Sequence, residues 1–401
     1  MPYYIKETTM RYPKFLQKGG IIGFVAPSFG CNIEPYTTAF ENAQKKFTDM
    51  GYGLDLGPNC YAGCGIGISN TPEKCGQELT DYYCSDKNDV LISCGGGELM
   101  CEDLDHVDFD KIRQAQPKWY LGYSDNTNFT FLQTTLCDTA SLYGPCVASF
   151  GMEPWHPAIR DSFDVLTGKK LVQNGYDKWE KESLKDEEHP LVPYNVTEPR
   201  VLHCVRADGT VLQQTDDRVK NADEEISGSC ENRGAAAGKK PAEECGSPKE
   251  ITENNIYRGD NICMEGRLIG GCLDILANLV GTTYDKVPEF VDKYQEDGIV
   301  WFMEACDLNV MSIRRALWQL EHAGWFKHVK GFLFGRPLCH GEEFLGLDQY
   351  SAVTGILGKY HVPIIMDIDI GHIPPAMTLI SGSYAKVRSD GQELEIRMEL
   401  K

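Results

Sequence analysis

The chain has 401 residues, of which 42% are apolar and 24% are charged, and its formal net charge at pH 7 is −20. The apolar share excludes a fully disordered chain, and the length exceeds one typical hydrophobic core, so we expect two domains. The negative charge argues against nucleic acid and anionic membranes as partners, and no apolar run is typical of a signal peptide or a membrane span. We therefore predict a cytoplasmic protein that acts on a small substrate.

Sixteen cysteines are scattered along the chain. No two of them have the C-x-x-C spacing, and the pair Cys60 and Cys64 has no matching Cys/His pair downstream. A disulfide framework is typical of short secreted chains that lack a core, which this chain does not resemble. We therefore predict reduced, partly buried thiols, with no metal site and no other cofactor.

The first part of the chain alternates predicted strands with predicted helices. Apolar runs that end in Gly, Pro or Ser predict buried strands within 19–30, 90–97 and 118–124. Helical spacing follows the first run, and another helix is expected to begin at Pro72 with Thr71 as its N-cap. This alternation is typical of a parallel sheet that helices cover on both faces.

Ligands bind to such sheets at the carboxyl ends of the strands. Ser28, Gly95 to Gly97 and Ser124 all fall at predicted strand ends. We therefore expect three loops, distant from one another in the sequence, to converge on one place.

The middle of the chain differs in composition from what precedes it. Residues 171–198 are charged and irregular, which indicates a linker or a wall over the site, and residues 207–260 are poor in large apolar residues, which indicates a polar insertion. We predict an N-terminal α/β domain at 1–170, the linker at 171–198, and a C-terminal mixed α/β domain at 199–401 that carries the insertion at about 207–260.

The C-terminal part again mixes strands and helices. A glycine turn that leads into an apolar helix is predicted for 266–282, a buried strand for 298–306 and an amphipathic helix for 308–324. Glu304 lies at the end of this strand, and His372 follows another predicted strand.

The position of Ser124, between a strand and a helix, allows two interpretations. Gly122 permits tight packing where the strand turns into the helix, which would raise Ser124 onto an exposed corner as a nucleophile. Alternatively, Ser124 or Asp125 caps the helix predicted at about 126–137, and this stretch by itself favours capping.

The glycine run Gly95 to Gly97 is also open to two interpretations. Its bare N–H groups would suit a developing oxyanion, together with the N–H of Asp125. The same run is compatible with a tight turn or with a phosphate cradle, although it lacks the Walker lysine and the G-x-G-x-x-G spacing.

A serine nucleophile needs a base and a carboxylate that orients the base. His372, after a glycine and before two prolines, is a candidate base, although a structural histidine is the commoner case. Glu304 at the end of a buried strand requires a partner, which is either an imidazole or one of Arg314 and Arg315. Local chemistry leaves these alternatives open.

Seven segments together resemble the LD-carboxypeptidase family of serine peptidases, which includes murein tetrapeptide carboxypeptidases and microcin C immunity peptidases. They occur in family order and cover most of residues 20–168 and 264–388. They are "VAPSFG", "ISCGGGELMCEDLDHVDFDKIRQAQPKWYLGYSDNT", "LYGP", "GRLIGGCLDIL", "VWFMEACDLN", "IRRALWQLEHAGWFKHVKGFLFGRP" and "IDIGHIPPAMTLISG".

This resemblance implies a catalytic triad of Ser124, Glu304 and His372, with the oxyanion held by the backbone N–H groups of Gly96 and Asp125. It also implies an N-terminal nucleophile domain, a C-terminal domain that contributes Glu and His, an active site in the cleft between them, and a homodimer. The expected reaction is cleavage of an amide bond in a small peptide through an acyl-enzyme.

The resemblance implies two candidate substrates. One is a murein stem peptide, cleaved at the L,D bond to its terminal D-amino acid, and the other is an aminoacyl or peptidyl nucleotide. Trp155 or Trp179 would stack on the base of such a nucleotide, although simple packing is the commoner role of a tryptophan. A non-catalytic small-molecule-binding protein is the alternative of another class, since two α/β domains with a cleft also describe such receptors.

Three features depart from the family pattern. Cys272 replaces the asparagine that is common in G-G-N-L, Cys94 replaces a polar or basic residue before the glycines, and the insertion at about 207–260 is unusually long. These departures leave the triad intact and bear on the substrate specificity.

Overall fold

The computed structural model describes residues 9–212 and 261–401. The predicted insertion at about 207–260 therefore lies, from residue 213 onward, outside the described residues. Within the described ranges, no helix combines the length and the apolar character that crossing a bilayer requires.

A six-stranded sheet forms the N-terminal part of the molecule. Its strands are β1 (Ile21–Val25), β2 (Gly53–Leu56), β3 (Val90–Ser93), β4 (Trp119–Gly122), β5 (Ser141–Tyr143) and, from late in the chain, β16 (Leu379–Ser381). The spatial order is β16-β5-β4-β3-β1-β2, in which β1 to β5 are parallel and β16 is antiparallel to β5. The predicted parallel sheet is thus confirmed, with an antiparallel strand added at one edge.

An eight-stranded mixed sheet forms the C-terminal part. Its strands are β6 (Val172–Gln173), β9 (His203–Val205), β10 (Ile262–Cys272), β11 (Ile299–Glu304), β12 (Val329–Gly335), β15 (Ile364–Ile368), β17 (Tyr384–Ser389) and β18 (Leu394–Glu399). In the order β6-β18-β17-β10-β11-β12-β15-β9, the central strands β10, β11, β12 and β15 are parallel. The outer strands pair antiparallel.

Two hairpins stand apart from these sheets, β7 (Lys178–Glu180) with β8 (Val196–Pro199) and β13 (Glu343–Phe344) with β14 (Leu347–Asp348). The α-helices of the described residues are α1 (Tyr36–Asp49), α2 (Pro72–Cys84), α3 (Phe109–Gln114), α4 (Thr127–Thr135), α5 (Pro157–Leu166), α6 (Leu273–Leu279), α7 (Val287–Lys293), α8 (Val310–His322) and α9 (Gln349–Leu357).

Two expectations about local structure need correction. The stretch 266–272 is the end of the long strand β10 and not a glycine turn. The glycine at position 271 is explained by packing, because a Cβ added there would lie 2.5 Å from the Cγ2 of Thr127. α2 does begin at Pro72, but the Thr71 side chain accepts no hydrogen bond from the helix.

The segment 171–198, predicted as a linker, contributes β6 to the C-terminal sheet and most of the β7–β8 hairpin. The domain boundaries themselves stay a prediction.

Packing of α4 against the C-terminal sheet holds the two halves together. Phe131 of α4 stacks on Trp325 with ring centroids 5.4 Å apart and also meets Trp301 of β11 at 6.1 Å. All three side chains are buried, and burial of one large aromatic side chain contributes about 1.5–3 kcal/mol. In addition, the Cys272 N–H donates to Thr127 Oγ1 at 3.0 Å. Because α4 follows directly from the Ser124 corner, this packing places that corner against the ends of β10 and β11.

Candidate active site

Ser124 occupies a strained corner between β4 and α4. Its φ is +62°, in the left-handed region that a non-glycine residue enters at a cost of about 1–3 kcal/mol. Neither Ser124 nor Asp125 caps α4, because Asn126 is the N-cap residue and no side chain donates or accepts a capping bond there. The capping interpretation is therefore wrong for this helix.

The corner is held by Asn126, a residue that sequence reasoning did not single out. Its Nδ2 donates to the carbonyl oxygen of Gly95 at 2.8 Å and to that of Tyr123 at 3.1 Å. An added Cβ on Gly122 would lie 2.9 Å from Asn126 Cβ, so a glycine is needed for this approach. Asn126 thus ties the serine corner to the glycine loop.

The structure brings Ser124, His372 and Glu304 into one hydrogen-bonded chain. Ser124 Oγ lies 2.8 Å from His372 Nε2, and His372 Nδ1 lies 2.8 Å from Glu304 Oε2. The Glu304 side chain is fully buried, whereas that of His372 is 14% exposed. The three residues come from both halves of the chain, so the cleft between the sheets assembles them.

Tyr143, at the end of β5, is a site residue that sequence reasoning missed. Its hydroxyl donates to Glu304 Oε1 at 2.5 Å, and its oxygen is 3.4 Å from the Ser124 backbone nitrogen, which donates to it. A tyrosine that ends a buried strand is typical of core packing, and its place within the "LYGP" segment was the sole signal.

Gly371 allows the His372 loop to pass directly over Glu304. An added Cβ on Gly371 would lie 2.5 Å from Glu304 Oε2, and its φ is +97°. On the opposite side, an added Cβ on Gly335 would lie 2.9 Å from Glu304 Cβ. The carboxylate is therefore enclosed by backbone, which restricts its orientation.

The electrostatics of the pair favour proton transfer to the imidazole. Burial raises the pKa of Glu304. The positive charge of His372 and the hydrogen bonds from His372 and Tyr143 outweigh burial and bring this pKa below its ordinary value. Burial lowers the pKa of His372, but the charge of the Glu304 carboxylate, together with hydrogen bonds to Cys306 and Glu304, outweighs burial, and the His372 pKa lies well above its ordinary value. The site thus stabilises the imidazolium that forms when His372 accepts a proton.

Gly96 and Asp125, the predicted oxyanion donors, both lie beside Ser124. An added Cβ on Gly96 would be 3.0 Å from Ser124 Cβ, so the glycine loop is in contact with the serine. Within residues 9–212 and 261–401, neither the Gly96 N–H nor the Asp125 N–H donates to a protein acceptor. Both donors are therefore available to a ligand.

The three loops converge as predicted. The Phe29 N–H donates to the Gly96 carbonyl at 2.9 Å, and the Ser28 hydroxyl donates to Asp125 Oδ2 at 2.6 Å. The Asp125 carboxylate also accepts from the Met100 N–H at 3.0 Å. The side chain of Asp125 thus fixes the loops, while its N–H has no acceptor in the described part of the chain.

A cavity of about 30 Å³ lies beside His372, with room for about two water-sized groups. Its walls are mostly aromatic and apolar. They include Tyr123, Tyr143, Tyr194, Pro145, Pro374 and Met377.

The two candidate tryptophans occupy different surroundings. Trp155 packs between Phe150 and Phe163, and the Arg160 guanidinium lies 4.6 Å from its ring, so it is a packing residue. Trp179 is half-buried on β7, with the Arg336 guanidinium 5.4 Å from its ring centroid.

The two cysteines that depart from the family pattern are both buried. Cys272 lies opposite Glu304 in the register of β10 and β11, and its Sγ is 3.4 Å from Asp274 Oδ2. The Cys94 carbonyl accepts from Cys31 Sγ at 3.6 Å.

Comparison with known families agrees with this geometry. Residues 22–144 match the model of the LD-carboxypeptidase N-terminal domain, and residues 265–387 match that of the LD-carboxypeptidase C-terminal domain. The chain belongs to the LD-carboxypeptidase family. It is therefore a peptidase of this family, and the predicted membership is confirmed.

Individual relatives are distant in sequence. The "Microcin C7 self-immunity protein MccF" of Escherichia coli is 22% identical over 339 residues, which are 82% of this chain and 79% of that protein. The "Probable murein peptide carboxypeptidase" of Bacillus subtilis (strain 168) is 28% identical over 162 residues, which are 38% of this chain and 47% of that protein.

The fold is shared with solved structures. The crystal structure of an MccF-like protein from Bacillus anthracis str. Ames superposes with a TM-score of 0.71 at 20% identity, covering 97% of this chain and all of that one. The structure of MccF in complex with aspartyl sulfamoyl adenosine gives a TM-score of 0.69 at 19% identity, covering 96% and 98%. The predicted fold class, a parallel-sheet domain followed by a mixed domain, is confirmed.

Proposed function

We propose that the protein is a serine carboxypeptidase-type hydrolase that uses Ser124 as nucleophile, His372 as general base and Glu304 as the orienting carboxylate. The observation that carries this proposal is the continuous hydrogen-bonded chain from Ser124 Oγ through the imidazole to Glu304, with 2.8 Å at each step. Such a chain lets a hydroxyl lose its proton as it attacks a carbonyl carbon.

The proposed reaction proceeds in two halves. Ser124 Oγ attacks the amide carbonyl while His372 Nε2 accepts its proton, and the N–H groups of Gly96 and Asp125 stabilise the oxyanion. His372 then gives this proton to the leaving amine, and the C–N bond breaks to leave an acyl-enzyme. Water, deprotonated by His372, hydrolyses the ester and restores Ser124.

The preferred substrate is a murein stem peptide, cleaved at the L,D bond to its terminal D-amino acid. The cavity of about 30 Å³ beside His372 supports this choice, because it has room for a small side chain such as the methyl group of alanine.

An aminoacyl or peptidyl nucleotide is the second candidate. It is favoured by the likeness to MccF over 82% of the chain and by Trp179, which is half-buried rather than enclosed.

Turnover of two compounds tests the proposal. The enzyme and its Ser124→Ala variant are incubated separately with murein tetrapeptide and with aspartyl sulfamoyl adenosine, and the products are identified by mass spectrometry. We expect release of the terminal D-amino acid from the tetrapeptide, and no product with the variant. Folded wild-type protein that cleaves neither compound would contradict the proposal and favour a binding protein. The cytoplasmic location and the homodimer stay predictions from the sequence.

A further inference from the structure

The segment between β7 and β8 carries two lysines, and one of them, Lys185, lies against the first helix of the N-terminal part. Its Nζ lies 5.5 Å from the ring centroid of Tyr36, the first residue of α1. Lys185 is half-buried, although its immediate neighbours along the chain, Leu184 and Asp186, are exposed. The lysine side chain is therefore directed toward the protein.

Hydrogen bonds connect the surroundings of Lys185 to the candidate active site. Next to Tyr36, the Thr37 hydroxyl donates to the Cys31 carbonyl at 2.9 Å, and the Cys31 Sγ contacts the carbonyl of Cys94, two residues before Gly96. At the start of the Lys185 segment, the Glu180 N–H donates to the Pro374 carbonyl at 2.7 Å, two residues after His372.

These bonds reach both loops of the site. The first set leads to the glycine loop that holds the candidate oxyanion donor, and the second leads to the loop of the candidate base. The segment that carries Lys185 and the helix end that its side chain covers are therefore each bonded to a loop of the candidate site.

Lys185 Nζ has no acceptor within the described parts of the chain. It makes no salt bridge and no hydrogen bond there, and burial lowers the pKa of this lysine below its ordinary value. Lys118 differs in this respect, because it is buried and its Nζ donates to three acceptors, Tyr82 O, Ser85 O and Asn88 Oδ1. A half-buried ammonium group without an acceptor, in a chain of net charge −20, is suited to a ligand anion.

We propose that Lys185 binds an anionic group of the substrate, namely the terminal carboxylate of a peptide or the acidic sulfamate of an aminoacyl nucleotide. This inference rests on the proposed function, because it assigns Lys185 to the substrate of the Ser124 site. It makes Lys185 a specificity-determining residue that selects substrates by charge, while the serine chemistry is left unchanged.

Binding to an inactive background tests this inference separately from catalysis. Isothermal titration calorimetry measures the Kd of murein tetrapeptide, of its C-terminal amide and of aspartyl sulfamoyl adenosine for Ser124→Ala and for Ser124→Ala combined with Lys185→Met. Lys185→Arg retains the charge. Lys181→Met, an exposed lysine on the same segment, is the matched control.

We expect Lys185→Met to weaken binding of the free-acid tetrapeptide by about 10-fold or more, while binding of the amide changes little. Lys185→Arg restores most of the affinity, and Lys181→Met leaves it unchanged. A loss confined to the sulfamoyl adenosine also supports the inference and identifies the sulfamate as the anion.

Equal losses for acid and amide, no loss for any ligand, or no binding to Ser124→Ala overturns the inference. Failure of the proposed function is a different result, since it is the absence of turnover by the wild-type enzyme.

Discussion

Tyr143 and Glu304 meet across the two halves of the chain, with the phenol oxygen 2.5 Å from Glu304 Oε1. Because His372 Nδ1 contacts the other oxygen at 2.8 Å, both oxygens of this buried carboxylate have a partner. Two partners on opposite oxygens fix the plane of the carboxylate, whose orientation the backbone at Gly371 and Gly335 also restricts. Tyr143 therefore orients the carboxylate that orients the imidazole.

Removal of this hydroxyl tests the positioning role of Tyr143. In Tyr143→Phe, the buried Glu304 carboxylate loses one hydrogen-bond donor, which costs about 1–3 kcal/mol. We expect kcat to fall by about 10-fold, with KM nearly unchanged, because the phenol acts through Glu304 rather than on substrate. Steady-state kinetics measures both constants.

Tyr284→Phe is the matched control, because it removes a phenol–carboxylate bond to Asp105 at the surface. It should leave kcat unchanged. An equal loss of kcat in the two variants would show that Tyr143 has no special role.

The dependence of kcat/KM on pH should report the protonation of His372. Only the neutral imidazole accepts the Ser124 proton, so the rate rises as pH passes upward through the His372 pKa. Since the Glu304 carboxylate holds this pKa above its ordinary value, the ascending limb should lie above about pH 6.5.

Glu304→Gln removes the charge that raises this pKa. We expect its ascending limb to move to lower pH and its kcat to fall by about 10³- to 10⁴-fold. If the ascending limb of the pH profile lies at the same pH in Glu304→Gln and in wild type, a group other than His372 titrates.

Gly371→Ala should separate crowding of Glu304 from backbone strain. The new Cβ would lie 2.5 Å from Glu304 Oε2, so the carboxylate or the His372 loop must shift. A displacement of about 1 Å in such a site costs about 10²-fold in kcat, and the strained φ adds about 1–3 kcal/mol of instability. Kinetics and thermal unfolding measure the two effects.

Gly341→Ala is the control for strain alone, since its φ is +80° and nothing lies within 4 Å of an added Cβ. It should lose stability and keep its kcat. Full activity in Gly371→Ala would mean that Glu304 tolerates movement.

The sequence predicts the layered fold well because apolar runs and helical spacing are local signals. It fails at β10, where Gly270 and Gly271 are typical of a turn but lie within a strand. The reason is tertiary, since Thr127 approaches the strand too closely for a side chain at Gly271. Such an approach leaves no trace in local spacing.

The site illustrates the same limit. Ser124 and His372 are 248 residues apart, and their meeting depends on packing between the two sheets, so local chemistry could not choose between a capping and a nucleophilic serine. The family resemblance supplied that choice. Tyr143 and Asn126 escaped notice because a strand-ending tyrosine and an asparagine before a helix are ordinary features of folded proteins.

Covalent labelling tests the central claim most directly. A fluorophosphonate probe is incubated with wild-type protein and with the His372→Ala variant, and the labelled peptide is identified by mass spectrometry. The account predicts a single adduct on Ser124 in the wild type, with labelling slowed by about 10³-fold in the variant because the base is absent. Folded wild-type protein that shows no adduct on Ser124, or equal labelling of both proteins, would contradict it.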